Sequence, residues 1–210
     1  MKDCRLLLLN VIAYILSIFT NSKLSKATQY IIDKTYSIYL SRQFFKIGKN
    51  SFWEFPAFIH GPDKISIGKN FYAFPRLRIE AFEKHLGAKF SPSIIIGNNV
   101  SINYDCHIAC INRIEIGNHV VIASRVFITD HYHGEASKQA LETPPDQRTL
   151  VSKGPVIIED NVLIGEGVAI MPNVRIGKNA IIGANSVITH DIKANTVVAG
   201  VPVKVIKDFS

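Results

Sequence analysis

The sequence predicts an all-β fold, a parallel β-helix of hexapeptide repeats, with a helical segment ahead of it. Three observations carry this. From Ile158 onward an isoleucine returns every sixth residue, at Ile158, Ile164, Ile170, Ile176, Ile182 and Ile188. A small or β-branched residue follows most of them four positions later, at Val162, Val168, Val174, Ala180 and Ser186, with glycine at Gly165, Gly177 and Gly183. The same register recurs upstream in pieces, through Ile96, Ile102, Ile108 and Ile114 and again through Ile116, Ile122 and Ile128. A period of six is neither that of a helix nor the alternation of a half-buried strand; it marks short strands and turns wound into coils that stack. With three hexapeptides per coil, Ile158 lies under Ile176, Ile164 under Ile182 and Ile170 under Ile188. Such columns fill an interior that one coil could not bury alone. The glycines suit a turn with positive φ or the close approach of a neighbouring coil.

Along the chain, residues 1–46 read as a helical segment and residues 47–210 as the β-helix. The stretch Leu6 to Thr20 is apolar but short of the roughly 20 residues of a spanning helix, and no cleavage-site pattern follows it. Two placements are expected for it: packed on the coil end or a partner subunit, or lying on a membrane surface beside Lys23, Lys26 and Lys34. From Ile47 to Phe90 the repeat is loose and aromatic-rich, with Phe52, Trp53, Phe55, Phe58, Phe71, Tyr72 and Phe74; these are expected to close the first end of the stack. Regular coil runs from Ile96 to Ile128 and from Gly154 to Ile188. Between them a polar loop, 129–153, holds His131, His133, Pro144 and Pro145, and a loop of that length on a rigid scaffold is expected to carry function.

Composition narrows the classes. The chain has 210 residues, 47% of them hydrophobic, enough for one full-sized domain. Cys4, Cys106 and Cys110 form no disulfide framework, which points to a reducing, cytoplasmic setting. The net charge of +7 admits polyanionic partners, but the basic residues are dispersed rather than interleaved with stacking aromatics, so nucleic acid is not expected. Cys106, His107 and Cys110 offer three ligands at most, short of a closed zinc set. They are read as core residues, and no metal is expected.

Four stretches, IGNNVSINYDCHIA from Ile96, IGNHVVIASRVFITDHYHG from Ile116, the run from Gly154 to Ile192, and AGVPVKVIK from Ala199, resemble the hexapeptide-repeat acyltransferases. Within that family the chain is similar to the galactoside and maltose O-acetyltransferases and to the O-acetyltransferases of lipopolysaccharide and capsule synthesis. The resemblance spans residues 65 to 207 and implies a left-handed coil, a homotrimer, acetyl-CoA in a groove between subunits, and a saccharide acceptor.

It also implies a site. Removing the proton of a sugar hydroxyl is work suited to imidazole near neutral pH. In the galactoside and maltose enzymes the base falls seventeen residues after the Ile of the preceding Ile-Gly pair, and counting from Ile116 reaches His133. His131 is the alternative base, or with Asp130 orients the base or the sugar. Asn103 matches a family asparagine that contacts the acceptor, although asparagine is also an ordinary corner residue. Gly165, Ala184 and Thr189 fall along the donor-binding stretch of the family, with His190 where these enzymes often have lysine and Lys207 where they have arginine, both placed to meet the phosphates of CoA. Leu163 stands where tryptophan is common. The remaining histidines, His60, His85, His107 and His119, are read as structural. Three other readings compete: a zinc carbonic anhydrase, which needs two histidines five residues apart that this chain lacks, a non-catalytic scaffold, and an acyltransferase acting on an amine.

Overall fold

The computed structural model describes residues 2–19 and 22–210, so Met1, Thr20 and Asn21 of the expected helical segment lie outside the described residues. Six coils wind from Lys46 to Ile188, and each contributes one strand to each of three parallel sheets. The first face runs from Lys46–Ile47 through Ser93–Ile96 and Arg113–Ile116 to Val174–Ile176. The second runs from Phe52–Trp53 to Thr196–Ala199, and the third from Phe58–His60 through Arg78–Ala81, His107–Cys110 and Phe127–Thr129 to Val187–Ile188. This is the all-β, left-handed hexapeptide coil. The expected columns form in register: Ile158 pairs with Ile176, Ile164 with Ile182, and Ile170 with Ile188. The stacked isoleucines are almost completely buried.

Corner chemistry explains the Ile-Gly signature. The glycine φ angles at Gly48, Gly68, Gly97 and Gly117 are not positive; the left-handed residue is the one two positions later, Asn50, Asn70, Asn99 or His119. What excludes a side chain at these glycines is proximity: a Cβ on Gly97 would meet Gly117 O at 2.6 Å, and one on Gly48 would meet Gly68 C at 2.4 Å. The asparagines, which tolerate left-handed backbone, also bond to one another along the stack, Asn50 Nδ2 to Asn70 Oδ1 at 3.1 Å and Asn70 Nδ2 to Asn99 Oδ1 at 2.8 Å.

The aromatic-rich stretch differs from its expected role as the closure. It forms two full coils, in which Trp53 takes an isoleucine position and Phe71 the position that is valine at Val100 in the next coil, while Phe52, Tyr72 and Phe74 stack outside. Bulky rings in interior positions are what blurred the six-residue period. Closure falls chiefly to the helix α2 (Ser22–Ser41). Its buried Asp33 accepts the Phe55 N–H at 2.9 Å, Ser37 Oγ accepts the Trp53 N–H at 2.8 Å, and Tyr36 donates to Ala57 O at 3.0 Å. The open edge of the first coil is thereby satisfied, as a terminal repeat requires. Phe44, just beyond the helix, stacks on Trp53 with ring centroids 5.3 Å apart.

The preceding helix, α1 (Lys2–Phe19), does not take the coil-end placement: Leu6, Leu9, Ile12, Ile15 and Leu16 are all exposed. Among the described residues no helix is long and apolar enough to cross a membrane. At the other end Lys204–Asp208 pairs antiparallel with Thr196–Ala199 and covers the last edge with charge.

Because Ile164 is fully buried between Ile122 and Ile182, Ile164→Ala should lower unfolding stability by about 2–5 kcal/mol. A urea titration followed by far-ultraviolet circular dichroism reads this, and an unchanged midpoint would contradict the stacked-core account.

Candidate active site

Two excursions leave the stack at the same corner, where the third face turns into the first. One follows Arg78–Ala81 and forms a short hairpin of Lys84–His85 with Ala88–Lys89. The other is the long segment after Phe127–Thr129, which returns at Val156. Between them the third coil turns tightly through Ile111 and Asn112, and this turn anchors the chemistry. The Asp130 carboxylate is fully buried against it and accepts the Ile111 N–H at 2.9 Å and the Asn112 N–H at 2.7 Å. Cys110 Sγ donates to it at 3.2 Å. Burial works against its charge, but hydrogen bonds from His131, from the two backbone N–H groups and from Cys110 prevail, holding its pKa below the ordinary carboxylate value.

The ionised carboxylate orients the next residue. His131 Nδ1 lies 2.9 Å from Asp130 Oδ1, and since a carboxylate only accepts, the proton between them belongs to Nδ1. In neutral His131 the lone pair therefore sits on Nε2. The ring is 8% exposed and opens onto a cavity of about 300 Å³ lined also by Glu80, Phe82, His85, His107 and His133. His107 pairs with Glu80 at 2.9 Å, and Arg78 holds the same carboxylate at 2.7 Å. Burial pulls the His107 pKa below its ordinary value despite the opposing pull of Glu80. The ring of His133 lies 6.4 Å from that of His131 and 5.8 Å from that of His85.

The expected residues are thus only partly brought together. His131 and His133 share the cavity. His133, however, is exposed on a two-residue strand paired with Leu150, and no hydrogen bond or ion pair ties its side chain to a described residue. Asp130 cannot be the sugar contact suggested for it, because its oxygens are sealed away and used by the protein. Asn103 is half-buried at a different corner, its Nδ2 3.3 Å from Ile122 O, and does not line the histidine cavity. Gly165 is accounted for by stacking, since a Cβ there would meet Ala184 N at 2.6 Å. His190 lines a separate cavity of about 240 Å³ with Lys193 and Lys204, while Lys207 pairs with Val197 on the closing strand. Cys106 and Cys110 point into the core and His107 points out to Glu80, so these three do not converge. Burial pushes the Cys106 thiol up to about 11.

His85 and His107, read from the sequence as structural, also line this cavity. His107 had a legible signal: it occupies an outward strand position in register with Arg78 and Phe127. His85 had only the unexplained gap between Ile79 and Ile94.

A stacked hexapeptide coil with a carboxylate-held imidazole at the mouth of an outer cavity is suited to general-base transfer chemistry. Residues 155–190 match the bacterial transferase hexapeptide (six repeats) model. Over 160 residues the chain is 38% identical to WbbJ of Escherichia coli (strain K12), assigned as a lipopolysaccharide biosynthesis O-acetyl transferase, covering 74% of this chain and 78% of that one. Among solved structures, a maltose O-acetyltransferase from Clostridium difficile 630 matches with 31% identity and a TM-score of 0.53, over 81% of this chain and 73% of the other. AntD, an N-acyltransferase from Bacillus cereus in complex with dTDP and 3-hydroxybutyryl-CoA, matches with 26% identity and a TM-score of 0.68, over 81% and 86%. The chain belongs to the hexapeptide-repeat acyltransferase family.

Asp130→Asn replaces one acceptor oxygen by a donor that faces backbone N–H groups or His131. Stability should fall by about 1–3 kcal/mol, the magnitude for an unsatisfied buried donor. Because the folded pKa of Asp130 is depressed, its charge stabilises the protein fully above the unfolded value of about 3.9. That contribution disappears as pH drops through the folded value. Thermal melts between pH 7 and pH 3 should therefore show a smaller acid-induced loss in the variant. Parallel pH profiles would overturn the assigned charge state.

Proposed function

We propose that the protein is an acetyl-CoA-dependent O-acetyltransferase that modifies a saccharide hydroxyl during synthesis of a surface polysaccharide, lipopolysaccharide or capsule. The observation that carries this is the Asp130–His131 pair facing a cavity, in a chain related to an O-acetyl transferase of lipopolysaccharide biosynthesis.

His131, rather than His133, is the base in this reading. Asp130 fixes the Nδ1 proton and stabilises the imidazolium that forms, whereas His133 has no such support. Nε2 of His131 accepts the proton of the sugar hydroxyl as that oxygen attacks the thioester carbonyl carbon. The new C–O ester bond forms and the C–S bond breaks. The departing thiolate then takes the proton from the imidazolium, which returns His131 to its neutral state. His133 lies beside the reacting groups and contacts the sugar.

The donor lies along the later coils, held by Gly165, Ala184, Thr189, His190 and Lys207. Supporting this, the half-buried corner positions Ala123, Gly165, Gly183 and Ala199 follow one another up the stack and carry no side chain larger than a methyl group. An extended pantetheine arm could run along such a lane. The cluster of His190, Lys193 and Lys204 suits phosphates. A homotrimer completes the site, with Asn103 meeting the acceptor across a subunit boundary. The exposed column of Val121, Leu163 and Ile181, in register on the second face, favours that assembly. The reaction takes place in the cytoplasm, with the exposed apolar surface of α1 resting on the inner membrane face.

His131→Ala should lower kcat by about 10²–10⁴-fold while the Kd for acetyl-CoA stays nearly unchanged, and His133→Ala should do less. Both are read by steady-state assay with saccharide acceptors and by calorimetry with CoA. If His133→Ala abolishes turnover and His131→Ala retains it, the two roles exchange. Lys207→Glu should weaken CoA binding, and wild-type affinity should fall with rising salt as exposed charge pairs are screened. Equal affinity of variant and wild type removes Lys207 from the donor site.

A further inference from the structure

The hairpin after Ala81 has no place in the hexapeptide repeat, yet it brings His85 into the cavity of His131 and His133. Its two-residue turn is Leu86-Gly87, with φ of +46° and +82°. A primed hairpin turn needs both residues left-handed and favours asparagine or glycine at the first position. Leucine there is strained, and it is 55% exposed, so neither backbone preference nor burial of an apolar side chain accounts for it. Strain of this kind persists where the surroundings hold it and concentrates at ligand-contacting sites.

His85 itself adds an independent observation. Its Nδ1 is closed off from solvent and has no hydrogen-bond partner. The neighbouring imidazoles differ: His131 is tied to Asp130 and His107 to Glu80. The His85 ring instead stands edge-on to His133, 82° between planes. A buried polar atom left unpaired calls for an explanation, and bonding to a bound molecule after a small ring rotation supplies one.

Building on the acetyltransferase reading above, we infer that this hairpin reads the acceptor and that His85 hydrogen-bonds the hydroxyl next to the one acetylated. The acceptor is then a sugar presenting a vicinal diol, one oxygen directed to His131 and its neighbour to His85, with His133 between the two imidazoles. Glu80 and His107, already paired to each other, form the polar wall behind it. His85 sets specificity and takes no part in proton removal.

The test uses methyl hexopyranosides and their monodeoxy analogues as acceptors, with acetyl-CoA, for the wild type, His85→Ala and His85→Gln. A site built around a hydroxyl discriminates against the analogue that lacks it. For the wild type, removal of the hydroxyl adjacent to the acetylated one should reduce kcat/KM by about 10–100-fold, the effect of one buried hydrogen-bonding group left unpaired. His85→Ala should lose a similar factor on the parent glycoside and treat parent and analogue alike, the non-additivity expected of a direct contact. His85→Gln, which keeps hydrogen-bonding capacity, should restore part of the discrimination. CoA affinity and the thermal midpoint should match the wild type in both variants. Full discrimination retained by His85→Ala overturns the inference and leaves the acetyltransferase reading standing. Binding of acetyl-CoA without acetylation of any glycoside by the wild type overturns the saccharide reading, and the role of His85 with it.

Discussion

Everything in this molecule depends on the distance between neighbouring coils. Parallel hydrogen bonding holds each coil directly over the last, and at that spacing the corner after each isoleucine has no room for a Cβ where glycine stands. Left-handed asparagine turns the chain two residues later. Inside, isoleucine sits on isoleucine through successive coils. Each coil thereby satisfies its backbone and buries its interior only through its neighbours, so stability is a nearest-neighbour property. The two ends must be closed separately: by α2 at one and by the antiparallel strand Lys204–Asp208 at the other.

So regular a scaffold has little chemistry of its own, and the candidate site arises where regularity is broken. The second and fourth coils each release an excursion at the same corner, while the third turns tightly between them. The tight turn presents two successive backbone N–H groups, and those groups fix Asp130. Asp130 fixes His131. A rigid turn, a buried carboxylate and an imidazole are linked in one chain of hydrogen bonds, and rigidity passes from the scaffold to the nitrogen that faces the cavity. This is the second-layer support that a precisely positioned functional group needs.

The outer surface divides the remaining work. The early coils carry rings, charges and the His85 hairpin around one cavity. The later coils present small residues in a lane, and near their end His190, Lys193 and Lys204 share a cavity with Asp191 and Asp208. That polarity along the stack suits a transfer reaction in which two substrates meet near His131 from opposite directions, one compact and hydroxyl-bearing, the other long and anionic.

The coil, its register from Ile96 onward and the break in it at 129–153 were legible in the sequence. A residue's interior partner lies one coil away, so the same pattern repeats at a fixed interval. The first two coils were harder to read, because Trp53 and Phe71 fill interior positions with rings and the hairpin 84–89 shifts the count. Spacing in the sequence favours His133 as the base; the proposal of His131 rests instead on its bond to a buried carboxylate held by Ile111 and Asn112, nearly twenty residues upstream, a contact that spacing does not display. His85 was still further out of reach, since it meets His133 only because the second and fourth coils are stacked one apart and release their excursions at the same corner. Sequence determined the periodic contacts, which are local in register. Tertiary structure decided the site, because its members come from three different coils and only their stacking makes them neighbours.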